Sequence, residues 1–286
     1  MVARTWIGGG TNSATDPANW SPAGAPVPGD SLTMSNGTMN IDLTDLDPPG
    51  QFLVNGTAAI NMVAATVCPI NTGNNGNNLT INMRGPVSTS INQGGGSVTL
   101  DLAGAWSGTI NQSALPGSGT LTVNGGVLVH SGNSVIGPDG SSARINSVVL
   151  GTGSFTITNF HGGTGILEFS KAVGPGQTVT VSNGFDGQAV LIINDPSAFF
   201  GTVLLQGNPA DKTEVSVIHL NNLVGADSYS FAGDILSLWD AGRVIDTLSL
   251  TSATAFSIVK PNPTSVAIYV GAGTPPAGTP LPVHPQ

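Results

Sequence analysis

Few residues in this chain are equipped for chemistry. Glu168, Asp186 and Asp195 lie close enough in sequence to share roughly one coil of a wound β surface, where two carboxyl groups can meet as general acid and base across a glycosidic bond. Lys171 is the one basic residue near them and the strands do not fix a shared face, so the expectation is solvated turn carboxylates. Asp42, Asp45 and Asp47 cluster before Pro48-Pro49 and suit Ca²⁺ in donor type. The glycine-rich Asp nonapeptides of calcium β-rolls are missing, which favours a polar loop. His130, His161, His219 and His284 are scattered without a His-x-x-x-His spacing, and Cys68 stands alone, so neither a zinc nor a catalytic constellation is written in the sequence. Phosphate-loop, nucleophile-elbow and dinucleotide fingerprints are absent in usable context, and the sequons at Asn36, Asn55, Asn78 and Asn111 are what an Asn- and Thr-rich chain produces by chance. The expectation is a protein that is not an enzyme and carries no catalytic, cofactor-binding or metal residues.

The elements that must position any site come from an unusual composition. Of 286 residues only 8% are charged, against roughly 25% in an ordinary soluble domain, and 40 are glycine. Seven Lys and Arg face 16 Asp and Glu for a net charge of -9, which argues against a nucleic-acid partner. Every apolar run is broken by Thr, Ser, Asn or Gly well short of the ~18 residues a membrane helix needs, so no membrane partner is expected. Disordered chains are charged and poor in β-branched residues, the reverse of this one. The opening Met1-Val2-Ala3-Arg4-Thr5-Trp6 has no basic, apolar leader, so the expectation is assembly inside a cell without export, or a leader already removed.

Strand-like runs recur at Leu79-Thr80-Ile81, Val98-Thr99-Leu100, Leu121-Thr122-Val123, Phe155-Thr156-Ile157, Val179-Thr180-Val181 and Val190-Leu191-Ile192, many alternating apolar with polar residues. Residues 235–250 read as two strands around a turn at Asp240-Ala241-Gly242. Trp106-Ser107-Gly108-Thr109-Ile110 and Phe199-Phe200-Gly201-Thr202-Val203 share one pattern, at an offset that four coils of about 23 residues would give. The fold expected is all-β: a parallel β-helix, or β-solenoid, with a Trp-rich N-terminal cap and a C-terminal β-rich region. A β-sandwich or jelly roll is the alternative. The organisation expected is a capping and attachment module over 1–60, the solenoid over 61–205, a β region over 206–272 and a Pro-rich extended tail over 273–286 that cannot pair in a sheet.

A family resemblance is carried by Thr5-Trp6-Ile7-Gly8-Gly9, Asn19-Trp20-Ser21 and Pro28-Gly29-Asp30 in the opening, with 193–203 resembling a strand-loop-strand unit and 218–250 a terminal part of the same group. Together the opening segments resemble the start of glycine-rich β-helical surface proteins, which include structural proteins of tailed-phage virions and autotransporter-like bacterial adhesins. The resemblance implies a surface β-architecture more than an activity, because such proteins share shape and not chemistry. Trp6 and Trp20 would plug the open end of the coil stack. With Pro28, Asp30, Pro275 and Pro276 they are the candidate capping and interface residues. The function expected is a non-enzymatic capsid decoration protein on a bacteriophage virion surface, a homotrimer whose partners are the major capsid protein or other virion subunits. An extracellular adhesin or autotransporter passenger is the second reading and a polysaccharide-degrading tail spike the third.

Overall fold

The computed structural model describes residues 2–9, 11–41, 45–46, 52–63, 65–67, 69–73, 77–112, 119–137, 140–158, 163–182, 187–206, 216–252, 256–270 and 279–284. They form a β-solenoid. Helical structure among them is confined to short 3-10 turns, as at Pro17–Asn19 and Pro196–Ala198. The chain divides into two compact units, Met1–Gly132 with Asn146–Val148, and Asn133–Ile145 with Val149–Gln286.

In the first unit, one wall stacks Ala3–Trp6, Ser31–Met34, Phe52–Val54, Ile70–Thr72, Ile91–Gln93 and Ile110–Gln112 in parallel. A second wall stacks Gly37–Ile41, Thr57–Met62, Asn78–Met83, Gly96–Ser107 and Gly119–Val129. Short strands at Asp45–Leu46, Ala65–Val67 and Val87–Ser88 join the end of Gly96–Ser107 in a third. The parallel register excludes the sandwich alternative. Successive coils take 21, 19 or 23 residues, so the expected period of about 23 is the upper end of a set of unequal turns in this unit. The coils begin by Ser31, inside the stretch expected to be a separate capping module.

Period-two alternation decides which side chains enter the core. In Asn78–Met83 the pattern buries Leu79, Ile81 and Met83 and leaves Asn78, Thr80 and Asn82 outward. Register then stacks like on like: Ile60, Ile81, Leu100 and Val123 form one buried column, and Ile70, Ile91 and Ile110 another. Each such side chain contributes about 1.5–3 kcal/mol by leaving water. The outward faces are tied as well. Asn61 donates from Nδ2 to Asn40 Oδ1 at 2.8 Å and Asn82 to Asn61 at 2.8 Å. On the other wall Asn92 donates to Asn71 at 2.9 Å and Asn111 to Asn92 at 3.1 Å. Gln112 repeats the motif in the interior, donating to Gln93 Oε1 at 3.0 Å.

In the second unit Asn133–Ile136, Ser154–Ile157, Thr178–Ser182 and Thr202–Gln206 stack in parallel on one wall. The start of Ser142–Leu150, with Thr164–Phe169, Gln188–Ile193 and Ser216–Leu220, forms the other. Rings fill its interior, with Phe169 5.4 Å from Phe155 and 6.0 Å from Phe199. The stack then changes character. Arg243–Ser252 lies parallel on Thr202–Gln206 but antiparallel to Ile235–Asp240, and Ser265–Val270 lies antiparallel on Ser216–Leu220. Ala241 and Gly242, at φ 48° and 78°, make the two-residue hairpin turn expected at Asp240-Ala241-Gly242.

The chain after 278 departs from expectation. Thr279–Pro280 pairs antiparallel with Val259 and Lys260, Leu281 donates to Ile258 O at 3.0 Å, and His284 donates to Tyr229 O at 2.6 Å. Thr279–Pro280 is an edge strand. The Leu281 N–H points into the sheet, so the N–H that Pro280 lacks would have pointed away from it, and proline costs nothing there.

Candidate functional site

The opening module is built around two rings and one ion pair. Trp6 on Ala3–Trp6 stands directly opposite Trp20 on the antiparallel strand Trp20–Ser21, the outermost strand of its wall. Their rings meet edge to face at 5.2 Å and 77°, and Trp20 Nε1 donates to Ala14 O at 2.9 Å. They are 5% and 1% exposed, so neither presents a face on which a sugar can stack. Asp16 caps the Pro17–Asn19 turn, and the Thr11 hydroxyl and the Ala18 N–H hold its carboxyl below the ordinary 3.8. Asn19 donates to Ser13 O at 2.8 Å and Thr11 Oγ1 at 3.2 Å, while its buried Oδ1 has no hydrogen-bond partner and faces Gly9. A Cβ at position 9 would come within 2.1 Å of that oxygen, which explains in this chain why a glycine accompanies the Asn-Trp pair.

Arg4 and Asp30 clamp the same module. Arg4 Nε donates to Asp30 Oδ2 at 2.5 Å and Nη1 to Pro22 O and Gly24 O, while Asp30 also accepts from the Val2 and Val27 N–H groups. The Arg4 hydrogen bond chiefly holds the Asp30 carboxyl below its ordinary value, against the opposing effect of burial. Asp30 is therefore turned inward, and its carboxylate is occupied within the chain. Pro28 is exposed, in the company of Ile7 and Val27 at 60% and 53%. Pro275 and Pro276 lie outside the described residues.

Of the acids expected as a possible pair, Glu168 and Asp195 lie among the described residues. Glu168 sits in the strand Thr164–Phe169, not in a turn, and accepts from Arg144 Nε at 2.7 Å and Asn194 Nδ2 at 2.7 Å. The expectation that only Lys171 could serve as a nearby cation is corrected: Arg144 lies one coil earlier and stacks beside Glu168 in register. Asp186 lies outside the described residues. Asp195 accepts from Ser197 Oγ at 2.8 Å. Its charge adds to burial in pushing the Asp246 carboxyl above the ordinary value, a neighbour that the sequence did not single out.

Among the described residues no three His, Cys, Asp or Glu side chains gather closely enough to hold a metal. Asp42, Asp47, Cys68 and His161 lie outside the described residues. His130 is fully buried. His219 is half-buried, and burial lowers its pKa from 6.5. His284 stacks on Trp239 at 4.0 Å and 16°. No helix among the described residues is long and apolar enough to cross a membrane. Comparison with protein-family models, curated proteins and solved structures returns no match for the chain.

Proposed function

We propose that this chain is a non-enzymatic structural protein of an exposed surface, and within that class a decoration protein of a bacteriophage capsid. The observation that carries the reading is the use to which polar side chains are put. In Asn40, Asn61 and Asn82, and in Asn71, Asn92 and Asn111, the outward amides bond to one another from coil to coil, so the walls are tied on their outer faces as well as through the backbone. Seven Lys and Arg in 286 residues leave few tryptic sites, which suits a surface exposed to proteases. Strand-paired coils of this kind spread load across the joints of a shell. The opening module would present Ile7, Val27 and Pro28 to shell subunits, with the Trp pair as the closure behind them. Assembly as a homotrimer belongs to the same proposal.

Immunogold labelling of the source culture, imaged by negative-stain electron microscopy, tests the reading. Gold on icosahedral heads is the expected result. Gold on cell envelopes would replace it with an adhesin, and light scattering of the purified chain at one-chain mass would remove the trimer.

A further inference from the structure

The amide column Asn40, Asn61, Asn82 has a break. Asp101 takes the next place, opposite Asn82 in register, and accepts from Asn124 Nδ2 at 2.9 Å. A carboxylate has no hydrogen to pass on. Asn82 Oδ1 and the second carboxylate oxygen of Asp101 are thus left as adjacent acceptors, with no protein donor in hydrogen-bond reach among the described residues. Arg84 adjoins them without forming an ion pair to Asp101.

A groove of about 450 Å³ opens at this break, lined by Asn82, Arg84, Asp101, Leu102, Asn124 and Gly125 among others. The backbone makes the room. Gly125 has φ 68°, where a Cβ would come 2.5 Å from Leu102 O, and Gly96–Ser107 bulges after Leu102.

We infer that this groove binds a sugar residue of a glycan. Neighbouring hydroxyls of a pyranose donate to the two open acceptors, Asp101 and Asn82 Oδ1, and Arg84 donates to a ring or hydroxyl oxygen. The apolar part of the exposed lining, at Ala103, meets the C–H face. The volume lies within the ~300–1,000 Å³ of small-molecule sites. A bare cation is the weaker occupant, because the groove offers one carboxylate and carries a guanidinium on its rim. The inference goes beyond the structural role proposed above and holds on whichever surface the chain resides.

The test probes a glycan array with the full chain, with and without EDTA, and then titrates the best-bound saccharide by saturation-transfer NMR. Asp101→Asn supplies the missing donor to Asn82. It is expected to lose saccharide binding by at least about tenfold, as loss of a charged hydrogen bond predicts, while melting at the same or a higher temperature. Arg84→Ala, at an exposed side chain, is expected to weaken binding without lowering the melting temperature. EDTA-insensitive binding that both variants reduce supports the inference. It is overturned if the wild-type chain binds no saccharide, if Asp101→Asn binds equally well, or if Ca²⁺ alone raises the melting temperature and is required for binding.

Discussion

Neighbouring coils are held in register by amides in the first unit and by rings and antiparallel strands in the second. Where coils are 19 to 23 residues long, Asn61, Asn82, Asn92 and Asn111 each bond to the asparagine one coil earlier. Where coils are 24 to 27 residues long, Phe155, Phe169 and Phe199 fill the interior and Arg144, Glu168, Asn194 and Asn221 form a mixed column outside. Stacking repeats a position every ~4.8 Å. A side chain repeated at that spacing must be able to bond to itself, which an amide can do and a like charge cannot. Rings tolerate less regular neighbours, because edge-to-face and tilted contacts are both favourable over a range of separations. Unequal coils therefore suit a ring-packed interior, and regular ones suit a ladder.

Substitutions in the two units can break this contrast. The largest effect is expected from Phe169→Ala, which empties the centre of the ring cluster and should cost about 3–5 kcal/mol in denaturant unfolding. A cost below about 1 kcal/mol would show that the rings do not organise the second unit. Gly9→Ala should cost about 1–3 kcal/mol through its clash with Asn19 Oδ1, and much less in an Asn19→Ala background; equal costs in both would remove that contact as the cause. Asn92→Ala deletes one donated and one accepted bond and should cost about 1–2 kcal/mol, whereas Asn194→Ala disturbs a mixed column.

The smallest effect concerns pH. His219 is lowered by burial, so its neutral form favours the folded state. The contribution is fully present above the ordinary value of 6.5, declines as pH falls below it, and is gone below the lowered native value. Replacing His219 with Gln should flatten the stability profile below 6.5 and leave it unchanged above.

Much of the architecture was legible because period-two alternation and coil spacing are local signals. Ile81, Leu100 and Val123, drawn from three of the strand-like runs, do occupy one column. The amide ladders were written plainly too, in Ile70-Asn71-Thr72, Ile91-Asn92-Gln93 and Ile110-Asn111-Gln112, yet Asn111 read only as a chance sequon. The partner of Glu168 was hidden because coil length varies, so no fixed offset points to Arg144. Pairing of the tail was hidden because its prolines argue against a sheet in general, while the side of the strand on which an N–H is missing depends on register. The inward turn of Asp30 depends on Arg4, which no motif flagged.

The ladders also have a direction. In each described Asn pair the later residue donates and the earlier accepts, so each of these asparagine columns reads one way, like a sentence whose words cannot be reversed. An acid is then grammatical only as the first word, since it receives a hydrogen and sends none. Asp101 obeys this rule: Asn124 donates to it and Asn146 to Asn124, so a fresh column starts where the old one stops. An Asp standing in a repeating Asn position of such a chain therefore marks a restart, and can be found by eye in sequence alone.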